Sequence, residues 1–553
     1  VVLLWTVLAG LRGLAQSGVD AGTAPAVTNT LETPGATATA APTYPVALPV
    51  ASPTTAPPAP DATAAPAAVL PTNDAPLSSG QVFIAPPTFG TSGWEVMAAL
   101  VTLSSIGGFL LYHVGLTRAK NCAHTSMLLL MGVVFGLLGY WVNGFAVQTG
   151  GVGDAHAALA QPFSTPVKNA LNHEMGFTLL GHHCGFMGNS GFFVGADEAT
   201  RGGMNALFLG QAVLLTLAVA AAQGAALERG RILAMSVLAF LTGAVIYPLF
   251  ANWVWGGGWL AELGREFGLG HGVLDLAGAG VVHETAGVLA LVIAVVLRPR
   301  HGRFTRNKAT GVPGHNVPLA ILGAFVLMIS WTAGNASAYS GTGAPGADAT
   351  TATAVVNVLL GAMGGTLLAV FLGAWRKQRA GAARLSRAML GGAVSLCGGS
   401  AFFDSWAAVL IGACGGLLVE TTVSALERRR IDDPVSVTAI HGTCGAWGLL
   451  AVGFFANGSA GRGLNGIDGP VRGLFFGGSW HQLAAQALGT VADFVVVFVL
   501  AYAFFQLVQK TLGSRVRVAD EIQGLDWPQV GALGYQPDVE SEYPDGLPGT
   551  RDK

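Results

Sequence analysis

The sequence predicts an all-α polytopic membrane protein with eleven transmembrane helices, arranged as two inverted five-helix repeats plus a final helix. Three observations carry the prediction. Charged residues make up only 10% of the 553, whereas AVILMFWYC supply 52% and glycine another 79 residues; soluble domains are about a quarter charged. Eleven long apolar runs follow one another between Val96 and Val508. The fifth and tenth runs open on the same spaced polar residues.

The composition also excludes functions. A formal net charge of −2 provides no bulk positive field to hold nucleic acid. The cysteines, at 122, 184, 397, 414 and 444, are scattered without a CxxC, which excludes a disulfide scaffold or zinc ribbon. No nucleophile or cofactor motif is present. The chain therefore reads as no enzyme, with no catalytic residue, metal centre or cofactor assigned.

In chain order, residues 1–15 are apolar and end in Gly13-Leu14-Ala15-Gln16, with small residues three and one before a cleavage point. They read as a signal-like segment, since a spanning helix needs about 20 residues. Residues 16–92 are rich in Ala, Pro, Thr and Ser, and cannot bury enough surface to offset their ordering entropy. A disordered tether outside the cytoplasm is expected. Residues 93–509 hold the runs, at Val96–Leu116, Met127–Val147, Ala206–Leu227, Ile232–Trp253, Leu276–Leu297, Val317–Ala338, Ala354–Trp375, Ala388–Phe403, Trp406–Leu426, Val435–Phe455 and Leu483–Val508. Their frequent glycines suit close packing in lipid. Residues 510–553 form a tail.

Basic residues set the orientation. One set of loops carries Arg118/Lys120, Arg229/Arg231, the run from Arg298 to Lys308, Arg376 to Arg387, Arg428 to Arg430, and Lys510/Arg515/Arg517. The other carries only Lys168, Arg201, Arg265, Arg462 and Arg472. The basic set is cytoplasmic, so the N-terminus lies outside and the tail inside a cell membrane.

Polar residues within spans are costly, so each asks for a reason. Asp275 to Gly287 and Asp433 to Gly445 both read Asp-x7-His-x-Thr-x-Gly. Each Asp stands where a helix N-cap belongs, and Pro434 takes the favoured first helical position. His283 and His441 lie eight residues further on, roughly 12 Å at 1.5 Å per residue. Entered from opposite faces, a core about 30 Å thick brings both imidazoles near its middle. Neutral imidazoles donate, accept and relay protons but hold no fixed charge. They suit a molecule that crosses neutral, or a cation that first gives up its proton.

At this point the chain resembles the ammonium transporter/Rhesus family. The resemblance rests on Gly115-Leu116-Thr117-Arg118-Ala119-Lys120-Asn121, Trp253 through Gly258, Asp275 through His283, Phe403-Asp404-Ser405-Trp406, and Ile431 through Gly445. It implies an eleven-helix homotrimer with one pore per subunit and ammonium or ammonia as substrate. Ammonium would be recruited by cation–π contact with Trp255, worth ~2 kcal/mol when desolvated. Asp275 would shape that site, with Ser337 of Asn335-Ala336-Ser337-Ala338 as the binding serine. His283 and His441 correspond to the family's paired pore histidines. The family's two stacked phenylalanines fall here on Leu214 and Gly334. Neither is aromatic, so a wetter and less selective gate is expected unless Trp331 covers the gap. The tail, with Arg515 and Glu521 to Asp526, resembles one that packs on neighbouring subunits and responds to PII signal proteins.

His173, His182, His183 and Cys184 share an outer loop. Metal binding there competes with plain exposure to water. Glu284, Glu420 and Asp493 lie inside apolar spans, where they mark either packed interiors or a proton route. Ammonium transport leads the functional readings. A conduit for another small neutral molecule (carbon dioxide or an amine) and a slow ammonium sensor are the alternatives.

Overall fold

The computed structural model describes residues 93–153, 165–306, 309–340, 347–378 and 381–535; the signal-like segment and the tether lie outside the described residues. Ten helices among those residues are long and apolar enough to cross a membrane. They are α1 (Val96–Leu116), α2 (Ala119–Thr149), α3 (Arg201–Ala226), α4 (Ile232–Phe267) and α5 (Ala279–Leu297), then α6 (Val317–Tyr339), α7 (Ala349–Trp375), α8 (Ser405–Arg428), α9 (Thr438–Phe455) and α10 (Trp480–Leu512). Apolar side chains such as Leu322, Ile329, Phe371, Val491 and Val499 point outward from α6, α7 and α10. That is the surface lipid requires.

The eighth expected run, Ala388–Phe403, is built differently from these ten. A helix of 13 residues, Ala382–Val394, ends early, and turns lead to a short 3-10 helix at Ser400–Phe402. Two glycine pairs, Gly391-Gly392 and Gly398-Gly399, weaken helix here. The freed carbonyls of Cys397 and Gly398 accept the N–H groups of Ala277 (2.9 Å) and Leu276 (3.1 Å). Irregular backbone at membrane depth is tolerated where protein satisfies it in this way.

The repeated motif explains how the two halves meet. A Cβ on Gly287 would lie 2.0 Å from the Gly442 nitrogen, and one on Gly445 would lie 2.4 Å from the Ala279 carbonyl oxygen and 2.7 Å from the Glu284 nitrogen. Both motif glycines thus sit where the start of one half's helix touches the backbone of the other's. Each start is a π-helical turn, Ala279–Glu284 in α5 and Thr438–Thr443 in α9. Such turns recur at functional sites. Pro434 does not open α9 as expected. It lies in a turn with Ser436 at φ 63° just after it, and the Asp433 carboxylate reaches forward to accept the Thr438 N–H at 2.7 Å.

The two ends of the bundle differ. At one end the segment expected as a loop forms an antiparallel hairpin, β1 (Glu174–Leu179) and β2 (His182–Gly188). At the other, buried charges interlock. Glu228 meets Arg118 at 2.7 Å and Arg300 at 3.2 Å, and Arg300 reaches Asp432 at 2.8 Å. Burial opposes charge on Glu228, but the Arg300 and Arg118 guanidiniums outweigh it and hold its pKa below the ordinary value. For Asp432, burial is likewise overcome by Arg300 and Arg229. The tail docks on this end of its own chain: Arg515 donates to the Leu297 and Pro299 carbonyls at 2.8 Å each, and Asp526 accepts the His124 N–H at 2.9 Å.

Two outcomes follow from this packing. Asp432→Asn should destabilise the purified protein by about 3–5 kcal/mol at neutral pH, because it leaves two buried guanidiniums, Arg229 and Arg300, with Glu228 as the one carboxylate left to Arg300. A carboxylate with lowered folded pKa stabilises fully above the ordinary value of about 4 and ceases to do so as pH falls through the folded value. The gap between wild type and variant in thermal unfolding should therefore close at acid pH. Gly445→Ala should cost more than the ~1–3 kcal/mol typical of overpacking, since it meets backbone. Gly107→Ala, where a Cβ meets nothing within 4 Å, should leave the melting temperature unchanged.

Candidate functional site

The crossing brings the two motif histidines into direct contact. His283 Nδ1 and His441 Nδ1 are 2.8 Å apart, with ring centroids at 5.0 Å. Both rings are buried. One nitrogen must donate and the other accept, so one ring carries its proton on Nδ1 and the other on Nε2. The pair's two outward nitrogens are then one acceptor and one donor.

Aromatic rings wall this pair. Trp331, on α6, stands edge-on to both histidines, with centroids 5.0 Å from His283 and 5.3 Å from His441. Phe109 of α1 lies 5.8 Å from His441 and 6.2 Å from Trp331. His113, 5.5 Å from Phe109, is buried and has no partner for Nδ1. Phe109 and His113 were missed in the sequence. A lone imidazole inside the first apolar run was the available signal for His113, while phenylalanine in such a run carries none.

The aspartate ahead of His283 is fully occupied by backbone. Asp275 accepts the N–H groups of Gly278 (3.0 Å), Ala279 (2.6 Å), Gly280 (2.9 Å) and Val281 (2.8 Å). These are the donors that a helix start leaves unsatisfied. Gly278, at φ 90°, makes the bend that lets one carboxylate reach all four. The Asp275 carbonyl in turn accepts the Trp255 indole N–H at 2.6 Å, which fixes the indole beside the start of α5. Ser337 gives its hydroxyl to the Gly334 carbonyl at 2.8 Å.

The two expected gate positions differ in setting. Leu214 is buried on α3. A Cβ on Gly334 would lie 3.5 Å from Thr102 Cγ2, with nothing but Thr102 within 4 Å, so position 334 faces α1. The ring against the histidines is Trp331, three residues earlier.

Other candidates separate cleanly. His182 pairs with Glu266 at 2.9 Å, and His183 stands 3.9 Å from both Glu174 and Glu262. No group of three or more His, Cys, Asp and Glu fit to hold a metal occurs among the described residues. A cavity of about 200 Å³ opens at the arginine-rich end, with Arg300, Arg387, Asp433 and Ser436 in its lining.

The comparisons with known proteins cover this whole assembly. The Ammonium Transporter Family model matches residues 93–535. The ammonium transporter Amt2 of Archaeoglobus fulgidus is 29% identical over 82% of this chain and 90% of its own length. Ammonium transporter 1 member 3 of Solanum lycopersicum is 29% identical over 78% and 90%. Among solved structures, a sensor Amt protein superposes with a TM-score of 0.63 at 27% identity, covering 79% of this chain and 97% of that one. Mep2 of Saccharomyces cerevisiae gives 0.62 at 22%, covering 78% and 90%, a likeness of fold. Since the match runs through both copies of the histidine motif and on into the docked tail, the chain belongs to the ammonium transporter family.

Proposed function

We propose that this protein carries ammonium across a cell membrane by taking its proton and passing ammonia along the buried histidine pair. The single observation behind this reading is the 2.8 Å contact between His283 Nδ1 and His441 Nδ1. An apolar passage is costly for a bare cation and cheap for a small neutral molecule. The pair offers that molecule one acceptor and one donor, which matches ammonia's own N–H groups and lone pair. A proton that enters one outward nitrogen and leaves the other swaps the two roles, so the same pair also relays protons.

Trp255 recruits the cation at the hairpin end. Its indole is held by Asp275, and Ser337 supplies a hydroxyl nearby in the family pattern. Because four backbone donors occupy the Asp275 carboxylate, that residue orients the site and does not bind ammonium directly. Trp331, in place of aromatic rings at Leu214 and Gly334, excludes water above the histidines. The hairpin end faces outward and the arginine-rich end faces the cytoplasm, as the basic loops require. Three copies assemble as a lipid-embedded homotrimer, and the tail offers a cytoplasmic PII protein a surface.

A second reading, an ammonium sensor with slow or no conduction, is favoured by the likeness to the sensor Amt structure. The gate substitutions favour instead a conduit for carbon dioxide or an amine. Current recording on a supported membrane with ammonium, methylammonium and potassium pulses separates these. Transport predicts a saturable ammonium current, whereas a sensor predicts binding without it.

Four variants test the parts. Trp255→Leu removes a contact worth ~2 kcal/mol and should raise half-saturating ammonium about 30-fold while sparing flux at high ammonium. An unchanged half-saturation puts recruitment elsewhere. Replacing His283 or His441 with Ala should leave thermal unfolding near wild type and either abolish ammonium current or admit potassium. Trp331→Leu should admit potassium and methylammonium more readily, as a wetter constriction lowers the cost of a charged ion.

A further inference from the structure

Three acidic residues lie inside apolar spans, and the fold accounts for only one. Glu420 of α8 is met by Arg384 Nε at 2.9 Å. Glu284 follows His283 in the same π turn, and it is 3% exposed with no hydrogen-bond partner for Oε2. Asp493 of α10 is fully buried. Its Oδ1 accepts from the Thr285 hydroxyl at 2.9 Å, and its Oδ2 has no partner. The π turn that holds Glu284 packs against α10, the helix that carries Asp493. The elements packed on that turn carry His283 on α5, His441 and Cys444 on α9 and Tyr247 on α4, while their basic residues, Arg201, Arg265 and Lys510, stand in the terminal turns of α3, α4 and α10.

A carboxylate at membrane depth needs a cation, hydrogen-bond donors or a proton. The Asp275 carboxylate has four backbone donors, and Glu420 has its arginine. Glu284 and Asp493 each keep a bare oxygen on elements that pack together, and two neighbouring carboxyls are relieved when one holds a proton that the other accepts. A purely packing role would be served better by apolar side chains of similar size. The position is also specific: Glu284 is the residue next to a histidine of the pair, and Thr285, hydrogen-bonded to Asp493, is the next again.

We propose that Glu284 and Asp493 form a proton-holding carboxyl pair that takes the ammonium proton from His283 and carries it beside the ammonia path. This rests on the transport reading above. In the step, ammonium loses a proton to His283, and ammonia moves on. The imidazolium N–H bond then breaks, an O–H bond forms on the carboxyl pair, and His283 returns to its neutral form. Release of that proton at the far side restores the carboxylate, so one proton crosses for each ammonia.

The test uses the full chain in liposomes, recording ammonium-evoked current on a supported membrane and lumenal pH with a trapped dye. Glu284→Gln and Asp493→Asn keep size and hydrogen bonding but hold no exchangeable acid. Each should cut the current about tenfold while ammonia entry persists as a lumenal alkalinisation, and Glu284→Asp should recover current. Unchanged current and dye signal in both amide variants overturns the proposal. So does loss of both signals without recovery in Glu284→Asp, which would make side-chain shape the requirement. A wild type that alkalinises the lumen without current overturns the carboxyl pair alone. A wild type silent in both overturns the transport reading itself.

Discussion

Much of this molecule depends on one contact that has no side chain in it. At Gly287 and Gly445 the helices of the two halves cross with backbone against backbone. Adding even a methyl group would push them apart by an amount that a 2.8 Å nitrogen–nitrogen contact does not survive. The histidines meet because the glycines four residues after them leave nothing in the way. The π turns belong to the same geometry, since each places its histidine in the last turn before the crossing.

Around that crossing the chain solves the problem of polar backbone in an apolar solvent several times over. Asp275 satisfies four N–H groups from one carboxylate. The carbonyls released where the helix after Ala382 stops are taken up by residues 276 and 277. Both devices converge on the segment just ahead of His283, so the start of α5 is held from two directions. Glu228, Arg300 and Asp432 hold the opposite end with charge. There, loops that leave the apolar core meet and also receive the tail.

How much of this was legible depended on whether the signal was periodic or local. Long apolar runs and the Asp-x7-His-x-Thr-x-Gly spacing are properties of the linear chain, so ten spans and the juxtaposed histidines were foreseeable. The interrupted run at 388–403 was not, because its hydropathy matches that of a helix and only its glycine pairs differ. The role of Pro434 was misjudged because an N-cap was assumed one residue away, when Asp433 in fact caps across five. The hairpin at 174–188 was hidden by its short length and mixed composition. The wall of Trp331 and Phe109, and the approach of Asp493 to Thr285, depend on tertiary contacts between helices that are distant in sequence.

The crossing also bears on how such a chain changes over generations. The π turn of α5 rests on α9, and that of α9 rests on α5, so each half forms the wall that the other needs. Neither half is a module that could be cut out, duplicated afresh or exchanged with its counterpart and still cover its own histidine. Drift at one crossing glycine is exposed at once in the other half. The two copies are therefore bound to a shared history, free to differ in their loops and lipid faces but locked together at the few positions where they touch.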